Sequence, residues 1–163
     1  AVEKKLGAIR EFLVQSENGD TLIKASSQWI LIDAARRRPI ALRENLPMYQ
    51  VIGERVIDTD FPKISEPQRI DEAAEFFIRF DDIDLNNHVN NAVYPLWASE
   101  AVGIDFRAAH TPAEIEVAFK KEGLYGEDIR VETEFDNLTT IHRIKATGDG
   151  RELARVRICW IGI

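Results

Sequence analysis

A single cysteine, Cys159, in 163 residues rules out an internal disulfide and any metal site built from several thiolates, so a reducing compartment, the cytoplasm, is the expected setting. No apolar run approaches the roughly 20 residues of a membrane-spanning helix. Ala1 to Arg10 also lacks the long apolar core of a secretory signal. Positive charge is scarce: 21 Lys and Arg face 28 Asp and Glu, a net −7 that matches nucleic acid phosphates poorly. Apolar residues at 45% and charged residues at 30% describe a globular chain with a sizeable core, with neither nucleic acid nor membrane expected as a partner.

The charge is uneven. Residues 1–45 carry eight basic and six acidic side chains, net +2, which leaves −9 on the remainder. An anionic partner would therefore prefer the first segment, where Arg36, Arg37 and Arg38 stand together; a solvated turn is the competing reading of that triplet.

Two stretches read as β-hairpins. Ile9 to Gln15 leads through Asn18-Gly19 into Thr21 to Ile32, and Thr140 to Ala146 leads through Asp149-Gly150 into Leu153 to Ile163. Gly19 and Gly150 are each followed by Leu after three residues (Leu22, Leu153), a base after five (Lys24, Arg155), Trp after ten (Trp29, Trp160) and Ile after eleven and thirteen. A constant offset of 131 residues suggests an internal duplication whose first copy is incomplete. The expected organisation is residues 1–45 as the carboxyl-terminal part of a truncated first repeat, 46–74 as a Pro-punctuated linker, and 75–163 as a complete second repeat. On this expectation, with no initiating Met, the chain is the carboxyl-terminal piece of a longer protein.

Within the second repeat the patterning predicts a strand over Glu75 to Phe80, a polar loop over Asp81 to Asn90, a helix from about Asn91 to Val102, and strands over Ile115 to Lys120 and Ile129 to Phe135 before the closing hairpin. Ala92 to Val102 is apolar on nearly every face, which predicts an interior helix capped by Asn90 or Asn91 and ended by Gly103, with Pro95 in or just past the first turn. The class is α+β, and an antiparallel sheet wrapped around one central helix, the hotdog arrangement, would bury such a helix. Trp29, Trp97 and Trp160 are expected in the core. Cys159 is expected as a small core or sheet residue, and His110 and His142 as loop or sheet residues rather than catalysts.

Between Asp82 and Asn91, seven of ten residues can ionise or hydrogen bond, directly before that helix. Asp82, Asp84 and Asn86 match the opening ligands of a calcium loop, but position six is Asn87 rather than Gly and position twelve is Val93 rather than Glu. One His among Asp and Asn does not make a zinc site, so no metal is expected. Two readings stay open on the residues alone. One is a network of Asx turns and caps. The other is a reaction centre in which His88, kept neutral by the helix end, exchanges hydrogen bonds, Asn86 orients a carbonyl or water, Asp84 fixes the histidine tautomer or positions Asn86, and helix amides receive an oxyanion.

Residues 79–91, Arg-Phe-Asp-Asp-Ile-Asp-Leu-Asn-Asn-His-Val-Asn-Asn, with Tyr94, Trp97 and Glu100, resemble the signature of acyl-ACP thioesterases, which release fatty acids from acyl carrier protein. Arg10-Glu11-Phe12, Ala25 to Trp29 and Arg37-Arg38-Pro39 resemble the end of that family's first domain. The resemblance implies tandem hotdog repeats and a catalytic set of Asp84, Asn86 and His88 completed by a strand-borne glutamate, Glu122. It implies acyl carrier protein as the partner, with Arg36, Arg37 and Arg38 a candidate contact, and no cofactor. Many relatives carry a cysteine after that glutamate; here the residue is Gly123, so the reaction must proceed without that thiol. An acyl-CoA thioesterase, a non-catalytic acyl-binding hotdog module and a homo-oligomer remain open alternatives.

Overall fold

The computed structural model describes residues 2–4, 7–33, 35, 36, 38–45 and 53–163, and the chain divides into two compact units, 1–62 and 63–163. Arg37 and residues 46–52 of the expected linker lie outside the described residues.

In the first unit, β1 (Val2–Lys4), β2 (Gly7–Gln15) and β3 (Thr21–Ile30) form an antiparallel sheet in that order. The predicted hairpin is present: Asn18-Gly19 makes the turn with Gly19 at φ 88°, a conformation that Gly adopts without steric cost. Glu11 accepts hydrogen bonds from Ser26 at 3.0 Å and from Arg55 at 2.6 Å, which tethers the segment after residue 53 to the sheet. Trp29 departs from expectation. It is about half exposed, with the Arg10 guanidinium 4.5 Å from its ring centroid, a cation–π contact in place of core packing. The short strands β4 (Ile32–Asp33) and β5 (Arg38–Pro39) pair next, followed by the single-turn helix α1 (Leu42–Asn45).

The second unit holds β6 (Glu72–Phe77), a 3₁₀ turn at Phe80–Asp82, α2 (Val93–Glu100), α3 (Ile104–Ala109), β7 (His110–Phe119), β8 (Asp128–Asp136), β9 (Thr139–Ala146) and β10 (Glu152–Gly162). Its five strands form one antiparallel sheet in the order β6-β8-β9-β10-β7. Alternation along β9 sends Thr140, His142, Ile144 and Ala146 to the inner face, where Val131, Val156 and Ile158 join them. Tyr94, Trp97, Ala98 and Ala101 of α2, at i, i+3, i+4 and i+7, lie in the same core. A five-stranded sheet packed around this helix is a hotdog fold. Each fully buried Ile or Val contributes about 1.5–3 kcal/mol of apolar transfer.

Four local expectations change. The helix is not apolar-buried all round: Leu96 is 62% exposed, because the sheet covers one side of α2 only. The first strand of the unit runs Glu72–Phe77 rather than 75–80, because Asp82 caps the Arg79 amide at 2.8 Å and draws Phe80 into the 3₁₀ turn. Helix α2 runs Val93–Glu100 with Ala101 as its C-cap, shorter than the expected 91–102, and Gly103 caps the start of α3, a helix the patterning missed. Strand β7 starts at His110 and runs through Pro112; the missing N–H is tolerated because β7 is a sheet edge and Pro112 sits beside the Cys159/Trp160 bulge. His110 stacks on Phe106 at 4.2 Å between ring centroids, while Trp97 and Trp160 are buried as expected.

Residues 64–71 lie along this sheet. Arg155 donates to the Ile64 carbonyl at 3.2 Å, the Gln68 amide donates to Glu134 at 2.6 Å, and the Phe135 amide donates to Asp71 at 2.8 Å. Inside the core, His142 is fully buried, with Nδ1 2.9 Å from the Thr133 hydroxyl and Nε2 2.8 Å from the Thr140 hydroxyl, to which Trp160 also donates. Burial without a compensating anion pushes its imidazole down to about 3.

Candidate active site

The polar run before α2 folds into a narrow loop. Ile83 and Val89 form an isolated antiparallel bridge, the Asp84 amide donates to the His88 carbonyl at 2.8 Å, and the Asn90 amide donates to the Asp82 carbonyl at 2.8 Å. Asn87 closes the tip at φ 64°, a left-handed conformation that Asn tolerates better than other non-Gly residues. Beneath the loop, buried Asp82 is gripped by the Arg79 amide and by its guanidinium at 2.8 and 3.3 Å; that hydrogen bonding holds its carboxyl below the usual range despite burial. On the residues alone Asp82 matches only the first ligand of a calcium loop. The signal for its true role was Arg79 three residues earlier, at the spacing of a capping box.

Asp84 positions Asn86, not the histidine tautomer. One carboxylate oxygen accepts the Asn86 backbone amide at 2.8 Å and the other accepts its side-chain amide at 3.2 Å. The Asn86 backbone amide holds the Asp84 carboxyl below its ordinary value against an opposing desolvation, with the Asn86 side chain and His88 adding to the effect. A carboxylate fixed in this state accepts one Asn86 side-chain N–H and leaves the second amide hydrogen as a donor. Asn86 and Asp84 line a cleft of about 640 Å³ together with Phe80, Ile83, Leu85 and Asn90.

His88 and Glu122 meet: Nε2 of His88 lies 3.3 Å from Oε2 of Glu122, with the two side chains 34% and 50% exposed. Glu122 stands in the loop after β7, three residues past Phe119, and not on a strand. Val89 joins the two segments by donating its amide to the Gly123 carbonyl at 3.0 Å. The four residues thus form two pairs, Asp84 with Asn86 and His88 with Glu122, linked by the turn from 84 to 88.

The amino end of α2 offers less than expected. The Ala92 and Val93 amides already donate to Asn90, one to its side chain at 3.0 Å and one to its carbonyl at 2.9 Å, and Pro95 has no amide hydrogen. The Asn86 side chain, by contrast, keeps a second N–H beyond the one it gives to Asp84. Gly123 closes another route. A Cβ at this position would sit 3.0 Å from Val89 Cγ2, 3.1 Å from Ile78 Cδ1 and 3.4 Å from Leu153 Cδ1, so a side chain there points into apolar core. The chain's single thiol, Cys159, lies on β10 within 3.9 Å of the Thr139 hydroxyl. Among the described residues, no group of three or more His, Cys, Asp or Glu converges in a way that could hold a metal ion. Arg36 and Arg38 are exposed around the β4–β5 turn, where Asp33 accepts the Arg36 amide at 2.8 Å. No helix among the described residues is long and apolar enough to cross a membrane.

Comparison with known proteins follows the same line. The acyl-ACP thioesterase C-terminal domain family matches residues 65–162, and the corresponding N-terminal domain family matches residues 1–48. A palmitoyl-acyl carrier protein thioesterase of Arabidopsis thaliana, described as chloroplastic, is 26% identical over 96% of this chain and 42% of its own length. The 12:0-ACP thioesterase of Umbellularia californica superposes with a TM-score of 0.86 at 22% identity, over 99% of this chain and 65% of that one. An acyl-ACP thioesterase from Bacteroides thetaiotaomicron gives 0.83 at 20% identity, over 98% and 65%. The two structures establish the fold. The chain spans less than half the length of the plant relative it matches. With the C-terminal domain of that family covering more than half of its residues, the chain belongs to the acyl-ACP thioesterases.

Proposed function

We propose that this chain carries the reaction centre of an enzyme that hydrolyses the thioester of a fatty acyl group on acyl carrier protein, releasing free fatty acid. The observation that carries the reading is the 3.3 Å approach of His88 Nε2 to Glu122 Oε2, with an Asn86 held by Asp84 two residues earlier on the same loop. Glu122, partnered by His88, takes a proton from water as the water oxygen attacks the thioester carbonyl. The free amide hydrogen of Asn86 is donated to the oxygen that becomes negative. Collapse of the tetrahedral intermediate breaks the C–S bond, and the proton taken from water passes to the departing thiolate, giving acid and thiol. Thioesters are already activated, so general-base help and one or two well-aimed donors suffice, without cofactor or metal.

In the organisation that goes with this reading, residues 1–45 belong to a first hotdog repeat and the catalytic repeat follows a connecting stretch; the expected connector 46–74 is shortened at its end, because β6 already begins at Glu72 and 64–71 lie along the sheet. The two family matches and the paired hairpins β2–β3 and β9–β10 support it. The carrier is an acidic protein, for which exposed Arg36 and Arg38 are a candidate contact, and the lone cysteine favours a reducing compartment such as the cytoplasm. A non-catalytic acyl-binding module would have no use for Asp84, Asn86, His88 and Glu122 together.

The test is hydrolysis of acyl carrier protein and CoA thioesters of graded chain length by the full-length protein. Faster release from the carrier protein, weakened by salt and by neutralising Arg36 and Arg38, is the expected outcome. Preference for CoA would reassign the carrier, and tight acyl binding without turnover would make the chain a binding module.

A further inference from the structure

Glu122 is half exposed and stands on a loop, yet the backbone on either side of its carboxylate is held from three directions. Val89, next to His88, donates to the Gly123 carbonyl at 3.0 Å. The Gly123 amide donates to the hydroxyl of Tyr94 at 3.3 Å. Tyr94 is buried, its ring edge-on to Trp97 at 5.4 Å and to Phe119 at 5.5 Å, so the hydroxyl sits on a rigid aromatic base. From the other side, Nη2 of Arg151 donates to the Glu122 carbonyl itself at 3.3 Å. The guanidinium is in turn clamped by Glu127 at 2.6 Å and Asp149 at 3.0 Å, and Glu127 also accepts the Leu124 amide at 2.9 Å.

We propose that Tyr94 and Arg151 are positioning residues for Glu122: a buried phenol and a clamped guanidinium fix the backbone of residues 122 and 123 so that the carboxylate stays within reach of His88. This rests on the reading of Glu122 as the general base. The physical need is plain. A glutamate has three side-chain torsions, and a proton-accepting oxygen must stay within about 3 Å of its partners to be useful. If the backbone beneath it moves, the productive rotamer becomes one of several. Burial raises the Tyr94 phenol above its ordinary value, so the group remains a neutral hydroxyl able to receive the Gly123 amide. Arg151 is suited to its task by its planar fork, which serves a carbonyl and two carboxylates at once in a way an ammonium group cannot.

The test compares Tyr94→Phe, Arg151→Met, Arg151→Lys and Glu122→Gln in the full-length protein, read by thioester turnover and by amide hydrogen exchange. Tyr94→Phe keeps the ring and removes only the hydroxyl. Its Gly123 amide should exchange about tenfold faster while the Val131 and Ile144 amides in the sheet keep their protection, and kcat should fall about tenfold at unchanged KM. Arg151→Met should lower kcat at least as much, and Arg151→Lys should recover part of the loss. Glu122→Gln should lower kcat by about a hundredfold or more. If Glu122→Gln is inactive while Tyr94→Phe and Arg151→Met keep full kcat, the positioning role is overturned and the site reading stands. If Glu122→Gln retains activity, the site reading falls, and the positioning role with it.

Discussion

Val89 donates its amide to the carbonyl of Gly123 at 3.0 Å, and because each of these residues immediately follows a site residue, this bond brings the backbones of His88 and Glu122 together. The first belongs to the loop before α2 and the second to the loop after β7, so the pair exists only when both loops are seated on the same end of the sheet.

Replacing His88 by Ala or Glu122 by Gln should reduce thioester turnover by about a hundredfold or more. Both side chains are substantially exposed, so stability should change by no more than about 0.5 kcal/mol. Thermal melts run beside the kinetics distinguish lost chemistry from lost fold.

Asp84→Ala should act through Asn86. Both hydrogen bonds that orient the Asn86 amide disappear, and kcat should fall about tenfold without a matching loss of stability. Asn86→Ala in the Asp84→Ala background should then cost little more, because the donor is already misdirected. A double-mutant cycle in kcat/KM measures that coupling.

The loop's foundation is Asp82, which is buried and accepts from both the amide and the guanidinium of Arg79. Asp82→Ala should destabilise the second unit by about 1–3 kcal/mol, since the buried carboxylate that ties the turn to the Arg79 amide and guanidinium is removed. Urea unfolding with an unchanged m-value checks this. A larger effect on kcat than on KM would show that the loop's shape serves turnover rather than substrate binding.

Gly123→Cys would not supply a nucleophile. The new Cβ meets Val89, Ile78 and Leu153, and the thiol beyond it enters apolar core, so the variant should lose about 1–3 kcal/mol to overpacking and resist an aqueous thiol reagent while folded. Rapid labelling at position 123 in the native state would contradict this geometry.

His142 makes stability fall with acid before any carboxylate matters. Its folded value is near 3 while the unfolded chain binds a proton near 6.5, so the unfolded state holds more protons throughout that window and stability drops as pH falls through it. The total loss approaches roughly 5 kcal/mol by pH 3. Between about pH 6 and 5 the signal belongs to His142, because Asp82 and Glu132, whose folded values lie below their ordinary ones, lose their contribution only at lower pH. Urea unfolding across this range, compared with His142→Gln, should show the slope in the parent and its absence in the variant.

Much of the second unit was readable because its strands alternate. Thr140, His142, Ile144 and Ala146 go inward together, Asp149-Gly150 turns the chain, and the apolar spacing of Tyr94, Trp97 and Ala101 gives α2 its buried side. The errors arose where a local signal was outweighed by a partner from elsewhere. Phe80 looked like the end of a strand until the Asp82 carboxylate capped Arg79. The strand expected from Ile115 begins at His110 instead, because the edge position of β7 and the bulge beside Trp160 make the missing amide of Pro112 harmless. Trp29 matched Trp160 in the repeat, yet one is buried and the other lies under Arg10, because burial depends on what covers a strand and not on the strand itself.

By itself the sequence determined the chemistry on offer: an Asx-rich loop bearing Asp84, Asn86 and His88 ahead of a helix, a glutamate followed by glycine rather than cysteine, and the resemblance carried by residues 79–100. Backbone propensity, side-chain alternation and residue type are local, so they can be read along the chain. Only the tertiary structure decided which groups pair. It turned Asp84 toward Asn86, set His88 against Glu122, engaged the Ala92 and Val93 amides with Asn90, and filled the space beside Gly123 with Val89, Ile78 and Leu153. Those outcomes depend on hydrogen bonds and close contacts between segments distant in the chain, whose geometry exists only once the sheet has formed.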